Sequence, residues 1–391
     1  MMNWLHSLKR RTPLGWLQLS RNKGRLVVAL SGIAFADVLM FLQIGFQESL
    51  YESNTKIRAA LDTDIVLVSP KAKNTQNLST FTRRRLYQAK DIPGVAAAHP
   101  LYSSTITWKN PETRQDAALQ IIGFDPDYQA FNLPEINQQL DKIKLPDVVL
   151  FDRTARGNYQ QTITQIENQQ WVSTEVQART ITVRGVFSLG ASFGTDGLLV
   201  TSNQNFLLLF PRRDAGSVSL GLIDLEPGYD PTQVTQALQQ YLPNDVEAMT
   251  IADFIDDEQQ FWRTESPIGF IFGFGTTMAF VVGVVIVYQV LSTDVNAHLK
   301  EYATFKAMGY RHSYLLGIVF EESIIMAFLG FIPGVILPIG MYYMAAKVTS
   351  LPIYMTLARA ISVLVLTVVM CLLSGAIATK KLQSADPADM F

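Results

Sequence analysis

Four long apolar runs dominate the pattern of hydrophobic and polar positions in this 391-residue chain. They lie at 26–46, 267–291, 314–346 and 360–379, and about 20 consecutive apolar residues are enough to cross the hydrocarbon core of a bilayer as a helix. The pattern therefore predicts four transmembrane helices. Between the first two lies a long stretch, residues 47–266, in which short apolar segments alternate with polar ones, as is typical of a folded domain in water.

The 47–266 stretch is predicted to be an α+β domain. Ser79–Ala89 and Pro231–Tyr241 have helical spacing and a helix start signal. Six further segments are rich in β-branched residues and are predicted strands: Asp64–Val68, Ser104–Trp108, Ala118–Ile122, Asp147–Phe151, Thr180–Arg184 and Ser217–Leu225. A second subdomain around residues 130–200 stays open as an alternative.

Two segments at the ends of this domain adjoin the membrane directly. Glu52–Leu61 follows the first apolar run and Thr250–Glu265 precedes the second, and both have helical spacing. We therefore expect them to continue the first two spans outward as stalk helices. Such stalks would couple motion in the membrane to the outer domain.

Charge is distributed unevenly along the chain. Residues 1–36 contain six basic and no acidic residues, whereas residues 52–265 contain 19 basic and 26 acidic ones. Basic residues also lie within the 292–313 loop (Lys300, Lys306 and Arg311) and directly after the fourth apolar run (Lys380 and Lys381). The positive-inside rule therefore predicts that this loop and both termini lie in the cytoplasm, and that the outer domain and the 347–359 loop lie on the other side of the membrane.

The predicted cytoplasmic ends are short. Residues 1–25 are predicted to include an amphipathic helix lying on the membrane surface, and residues 380–391 form a tail. A cleavable signal peptide is the alternative for the N-terminus, with Ala34-Phe35-Ala36 as the cleavage site. The apolar run continues without a break to Phe46, which favours an uncleaved span.

Candidate chemistry is sparse. One cysteine, Cys371, excludes a disulfide within the chain, and the four histidines form no zinc-binding pattern. No Ser-His-Asp or Cys-His arrangement is suggested by spacing. We therefore predict no catalytic residue, no metal site and no cofactor. The acidic outer domain argues against nucleic acid as a partner.

Three carboxylates fall within the apolar runs. A carboxylate at bilayer depth is costly, so it tends to be buried against protein or water. For Asp37 we favour a hydrogen bond between helices over contact with a polar substrate. Glu321 and Glu322 lie near the cytoplasmic start of the third run. We expect them to reach water or a basic partner such as Arg311, with a proton relay as the alternative.

The polar segment 298–311 separates the second and third apolar runs and is patterned as a short amphipathic helix. Leu299, Tyr302, Ala303 and Lys306 recur at 3–4 spacing, and Gly309 ends the pattern. The segment is too short to cross a bilayer. It is either an element of the membrane surface or a helix that inserts into a cleft of a soluble partner.

The residues Lys300-Glu-Tyr-Ala-Thr-Phe-Lys-Ala-Met-Gly-Tyr310, followed by Ile318-Val-Phe-Glu-Glu322, resemble the coupling-helix motif of FtsX-like ABC permeases, the MacB superfamily. Leu17–Arg25, Ile92-Pro-Gly-Val95 and Ser384–Asp389 also resemble segments of that family. The resemblance covers the whole chain. It implies an α-helical polytopic membrane protein of MacB-like (type VII ABC transporter) architecture, with four transmembrane helices and a large α+β extracytoplasmic domain between the first two.

Within the superfamily, residues 25–41 are similar to the cyanobacterial DevC-type permeases. That similarity implies a homodimer that works with a separate DevA-like ABC ATPase, a DevB-like periplasmic membrane-fusion adaptor and a TolC-like outer-membrane channel. The implied cargo is a lipid or glycolipid. No glycine in the sequence is followed by lysine, so a Gly-Lys-[Ser/Thr] phosphate loop is absent from it, and ATP hydrolysis is expected in the separate subunit.

The family resemblance implies that contact with the ATPase falls to seven residues of the 298–311 segment: Lys300, Glu301, Tyr302, Phe305, Lys306, Met308 and Gly309. Two relatives remain as alternatives. An FtsX-type signalling permease relays ATP hydrolysis to an external cell-wall hydrolase and moves no solute, and a lipoprotein-releasing permease has a similar architecture. The length of the outer domain argues against the signalling type.

Overall fold

The computed structural model describes residues 23–177, 179–299, 301–302, 304 and 308–383, without the side chains of residues 312, 313, 315 and 380–383. The chain divides into two compact units. We call Met1–Gln47, Phe270–Met344 and Ile353–Phe391 the membrane unit, and Glu48–Gly269 with Ala345–Pro352 the outer unit.

Helices and strands are numbered in chain order. The described helices are α1 (Lys23–Ala59), α2 (Arg84–Ala89), α3 (Pro134–Asn137), α4 (Leu140–Ile143), α5 (Gln160–Glu167), α6 (Asn203–Leu209), α7 (Pro231–Tyr241), α8 (Ile251–Gln260), α9 (Pro267–Ala297), α10 (His312–Thr349) and α11 (Leu357–Gln383). The described strands are β1 (Ile65–Val68), β2 (Phe81–Thr82), β3 (Val95–Lys109), β4 (Asp116–Phe124), β5 (Val148–Asp152), β6 (Val172–Val176), β7 (Arg179–Phe187), β8 (Leu198–Ser202), β9 (Ser217–Val218), β10 (Leu220–Leu225) and β11 (Glu247–Thr250).

The prediction of four membrane helices is confirmed, because α1, α9, α10 and α11 are each long and apolar enough to cross a bilayer. They pack around a shared apolar core that includes Ile33 of α1, Val287 of α9, Met326 of α10 and Met370 of α11. Other apolar side chains on these helices stay exposed, such as Phe270 at 72%. This is expected of a helix bundle whose outer surface faces lipid.

The two predicted stalks differ in structure. α1 runs without a break from Lys23 to Ala59 and so includes the first stalk. On the other side, α8 gives way to a π-helix, Phe261–Glu265, and Ser266 is extended at φ −80° and ψ 132° before α9 begins at Pro267. A proline disfavours the helical conformation of the residue before it, and this explains the break. The second stalk therefore does not continue the second span directly.

The outer unit is built on one nine-stranded sheet with the order β11-β1-β10-β3-β4-β8-β5-β7-β6. The pairs β4–β8 and β5–β7 are parallel, and the other described neighbours are antiparallel. A single further pairing, Trp108 with Val176, brings β6 back to the end of β3. The α+β prediction for this part of the chain is confirmed.

Both faces of the sheet are buried. Alternate residues of a strand point to opposite faces, and in β1 Ile65 and Leu67 belong to one core while Val66 and Val68 belong to the other. The first core is covered by α2, α5, α6 and α7, and the second by the end of α1 together with α3, α4 and α8. The stalk helices α1 and α8 therefore share one face of the sheet.

Two details of the sequence interpretation are wrong. The predicted helix Ser79–Ala89 is helical only from Arg84, because Phe81 and Thr82 pair with β9 instead. Residues 130–200 do not form a second subdomain, because their strands β5, β6 and β7 join the same sheet. Local periodicity does not reveal such long-range strand pairing.

Candidate functional site

The 298–311 segment is the first candidate site. Tyr302 N donates to His298 O and Met308 N donates to Thr304 O, each at 3.0 Å, which is the i to i−4 spacing of an α-helix. Gly309 follows with φ +87°, a left-handed conformation that commonly ends helices and that favours glycine. Lys300, Phe305 and Lys306 lie outside the described residues.

The described side chains of this segment divide into an anchored and an exposed group. Tyr302 is buried at 2% exposure and packs in a small apolar cluster with Val295, Ile318 and Val319. Met308 is 60% exposed, and Glu301 is also exposed. Tyr302 therefore holds the segment against α9 and α10 within the membrane unit, while Met308 is accessible to a partner.

A buried charged cluster lies beside this anchor. Asp294 on α9 is 3.3 Å from Arg25 Nη1 on α1, and its second carboxylate oxygen is 3.6 Å from His298 Nδ1. Glu322 on α10 is only 1% exposed, and neither of its carboxyl oxygens has a hydrogen-bond partner among the described residues. The expectation that Glu322 reaches water or Arg311 is therefore wrong, because α10 turns this side chain into the bundle. Glu321, the next residue on the helix, is half-buried.

Asp37 is fully buried halfway along the apolar part of α1. Thr367 of α11 donates a hydrogen bond of 2.6 Å to its carboxyl group. A Cβ atom at Gly334 of α10 would lie 2.7 Å from the Asp37 carboxyl group, so glycine is what lets α10 approach there. Asp37 thus lies where three membrane helices meet.

The outer unit contains a buried ion pair between the two stalks. Arg58, at the end of α1, is 1% exposed, and its Nη2 is 2.7 Å from Oε2 of the fully buried Glu258 on α8. Arg58 also donates to Phe254 O and lies 3.1 Å from Asp257, which is half-exposed. Its guanidinium carbon stands 3.7 Å over the Phe254 ring. We call this cluster the stalk junction.

Both carboxylate oxygens of Glu258 have polar partners. Besides the ion pair, its Oε2 accepts hydrogen bonds of 2.8 Å from both the N–H and the hydroxyl of Thr75, and its Oε1 accepts one of 2.7 Å from the indole of Trp262. A buried ion pair is favourable only when its remaining hydrogen-bonding groups are satisfied, as they are here. The junction therefore fixes α1, α8 and the 74–77 loop against one another.

Arg156 performs a similar task at the end of α10. Its Nε donates to Thr349 O at 2.7 Å, its Nη1 is 2.8 Å from Asp196, and its Nη2 donates to Ser192 O at 3.1 Å. One guanidinium group thus connects residues 192–196 to the last residue of α10, within the outer unit. We call it the Arg156 clamp.

A polar cluster around His99 in the outer unit has perturbed ionisation. His99 stacks on Tyr128 with ring centroids 3.8 Å apart, and Tyr128 donates to Asp224 at 3.0 Å. Burial lowers the pKa of His99 below its usual 6.5, although Asp224 acts in the opposite direction. Burial also raises the pKa of Asp224. A lowered histidine pKa costs stability as pH falls below about 6.5, whereas the raised pKa of Asp224 has the opposite sign.

Sequence analysis did not identify the stalk junction, the Arg25–Asp294 ion pair or the Arg156 clamp. In the sequence, Asp257 and Glu258 belong to a run of three carboxylates that begins at Asp256, and Arg58 is one basic residue in a predicted helix. The members of each pair lie far apart along the chain, so no local spacing connects them.

Taken together, the fold and these contacts define a protein with four candidate membrane helices and an α+β domain in the chain between the first two. Two family models match the chain. One is the FtsX-like permease C-terminal model, over residues 273–387, and the other is the MacB-like periplasmic core domain, over residues 26–241. The second match covers more than half of the chain. The chain therefore belongs to the MacB/FtsX family of ABC transporter permeases.

Two solved structures are similar to part of this chain. The periplasmic region of MacB from Actinobacillus actinomycetemcomitans has 13% sequence identity and a TM-score of 0.35, and the match covers 51% of this chain and 94% of that one. The extracellular domain of the noncanonic ABC-type transporter YknZ from Gram-positive bacteria has 11% identity and a TM-score of 0.34, covering 48% and 100%. No curated protein sequence matches the chain significantly.

Proposed function

We propose that this chain is the membrane-spanning subunit of an ABC exporter, driven by a separate ATPase that grips the 298–311 segment on the cytoplasmic side. The observation that carries the proposal is the continuity of α1. This single helix begins beside the charged cluster at Arg25 and ends in the stalk junction at Arg58. A displacement at its first end therefore has a covalent, hydrogen-bonded route to the outer unit.

In this proposal, motion passes from the 298–311 segment to the outer unit through packed helices, and no chemical step in this chain is required. Tyr302 connects the 298–311 segment to α9 and α10, and the Arg25–Asp294 pair connects α9 to α1. Closure of an ATPase dimer on Met308 and its neighbours would move these helix ends together. The stalk junction then passes the motion to the sheet, because Arg58 and Glu258 belong to elements on the same face. ATP hydrolysis belongs to the partner subunit, and this chain supplies no catalytic group.

The assembly that we propose is a homodimer on the inner membrane with both termini in the cytoplasm. Its further partners are a DevA-like ATPase, a DevB-like periplasmic membrane-fusion adaptor and a TolC-like outer-membrane channel, and its cargo is a lipid or glycolipid. The similarity of residues 25–41 to DevC-type permeases supports this assignment. The extended outer unit, with its nine-stranded sheet, supports export over a signalling role.

Co-purification tests the ATPase contact. The ATPase subunit that drives this permease should co-purify with the wild-type protein and should be lost from Met308→Asp, because an exposed apolar contact would be replaced by a charge. Leu145→Asp is the matched control, since Leu145 is a similarly exposed apolar residue of the outer unit. Retention of the ATPase by Met308→Asp at the level of the control would contradict the assignment of this segment.

The cargo requires a separate experiment. Deletion of the gene should cause one lipid or glycolipid class to accumulate in the inner membrane. Lipid extraction from separated membranes would detect this accumulation. If the lipid profile is unchanged and a cell-wall hydrolase loses activity instead, the signalling alternative replaces export.

A further inference from the structure

A cleft of about 530 Å³ opens on the outer unit. Its walls come from three parts of the chain: Lys56 on α1, the segments 153–155 and 188–190 around β5 and β7, and residues 346 and 350–352 at the end of α10. Two of its lining residues, Lys56 and Arg153, are basic, and none is acidic.

Lys56 is the unusual member of this lining. It is half-buried, yet among the described residues its ammonium group makes no hydrogen bond and has no carboxylate oxygen within 4 Å. Glu52 and Asp152 act on it only at longer range. Half-burying an ammonium group without a partner is costly, so a group that binds it would be favourable. Arg153, by contrast, already has Glu135 at 3.2 Å and Glu167 at 3.5 Å.

The nearest buried carboxylate is not available to Lys56 as a close partner. Asp152 is fully buried and accepts four hydrogen bonds of 2.6–3.2 Å, from the N–H and hydroxyl of Thr154 and from the N–H groups of Leu189 and Gly190. These bonds also fix the 188–190 segment as a cleft wall. A Cβ atom at Gly190, where φ is +100°, would lie 3.0 Å from Lys56 Nζ, so the glycine leaves room for the ammonium group.

The opposite wall is made by the end of a candidate membrane helix and the residues that follow it. Ala346 lies in the last turn of α10, one of the four candidate membrane spans, and Leu351 and Pro352 follow directly after that helix. The Arg156 clamp holds this wall in place through Thr349 O. The cleft thus combines a half-buried lysine, without a close partner among the described residues, with apolar residues at the end of a candidate membrane helix. Serine hydroxyls at Ser188 and Ser350 complete the lining.

We propose that this cleft binds the anionic headgroup of a membrane lipid, with Lys56 as the residue that contacts the charged phosphate, sulfate or carboxylate. The lipid's glycerol or acyl end would lie against Leu351 and Pro352. The proposal goes beyond the export function, because it requires neither an ATPase nor any particular cargo, and the permease alone is enough to test it.

Hydrogen exchange of the full-length permease in lipid nanodiscs provides the test. Peptides covering 188–190 and 350–353 should exchange more slowly in nanodiscs that contain phosphatidylglycerol than in pure phosphatidylcholine. Lys56→Gln should abolish this difference, and about tenfold more phosphatidylglycerol should be needed to restore it, as expected for a lost charge-assisted hydrogen bond. Lys90→Gln is the control, because Lys90 is an exposed lysine outside the cleft and should leave the protection intact.

Three results would overturn the proposal. The first is equal protection by phosphatidylglycerol in the wild type and in Lys56→Gln, with both proteins folded as judged by thermal unfolding in phosphatidylcholine. The second is protection in the wild type that Lys90→Gln removes as fully as Lys56→Gln does. The third is protection by inorganic phosphate alone and not by phosphatidylglycerol, which would assign the cleft to a free anion.

Discussion

Glu258→Gln is the substitution that tests the stalk junction most sharply. Gln has the same shape as Glu, but it is neutral and has one acceptor oxygen in place of two. In the wild type, Oε2 serves Arg58 and Thr75 while Oε1 serves the indole N–H of Trp262. Whichever way the amide turns, its NH₂ group faces at least one of these donors. The change therefore removes the charge opposite Arg58 and adds a donor–donor conflict.

The magnitude follows from the burial of the pair. Breaking a buried ion pair by removing one charge costs about 3–5 kcal/mol, because the other charge stays buried. Arg58 keeps its bond to Phe254 O and its contact with Asp257 at 3.1 Å, and Asp257 is half-exposed. We therefore expect the lower end of the range, about 3 kcal/mol. For a domain of 150–250 residues this corresponds to a fall in melting temperature of about 6–12 °C.

Thermal unfolding of the full-length protein in detergent, followed by tryptophan fluorescence, measures this effect. Trp262 is itself bonded to Glu258 and so reports on the junction. Asp256→Asn is the matched control, since it makes the same chemical change at the exposed neighbour two positions earlier on α8. If Glu258→Gln melted within 1 °C of the control, the junction would not stabilise the outer unit and the reasoning would fail.

A second variant separates lost charge from lost packing. Replacing both partners, in Arg58→Met with Glu258→Leu, removes the buried charges together, and such replacements are often neutral or stabilising. We expect the double variant to be more stable than Glu258→Gln alone. A double variant that is less stable than the single one would show that packing and hydrogen bonds, and not the unpaired charge, dominate the loss.

Three further predictions concern other contacts. His99→Phe should lose less stability than the wild type between pH 7.5 and 5.5 in the same melting assay, because the lowered pKa of His99 makes its protonation oppose folding; parallel pH profiles would contradict this. Arg156→Ala should cost about 1–2 kcal/mol and speed hydrogen exchange in residues 345–352, and unchanged exchange there would exclude the clamp. Gly334→Val should abolish stable expression whereas Gly340→Val should not, because of these two glycines only Gly334 has atoms within 4 Å of an added Cβ; equal expression of the two would show that α10 can move aside.

The coarse architecture could be predicted because it depends on local signals. Apolar length alone locates the four candidate spans. The helix Pro231–Tyr241 forms where it is predicted, and it starts at a local signal, with Asp230 as its cap and Pro231 in its first turn. The break before α9 also has a local cause at Pro267, although the sequence interpretation treated the second stalk as continuous. Such features depend on a few neighbouring residues.

The candidate site depends on contacts between distant residues and could not be predicted in the same way. Arg58 and Glu258 are 200 positions apart, and Arg25 and Asp294 are 269 positions apart. Tyr302 fits the amphipathic pattern of the 298–311 segment equally well as an exposed or a buried residue, and only the structure shows that it is buried. Composition and periodicity carry no information about which of these pairings forms.

The central claim is that ATP-driven motion at the 298–311 segment reaches the outer unit, and one distance measurement tests it directly. Spin labels at Leu145→Cys in both copies of a reconstituted permease–ATPase complex, made in a Cys371→Ala background, report the separation of the two outer units. The separation should change when ATP is trapped on the ATPase, and it should not change in Met308→Asp, which does not retain the ATPase. An unchanged separation in a complex that hydrolyses ATP would contradict the account.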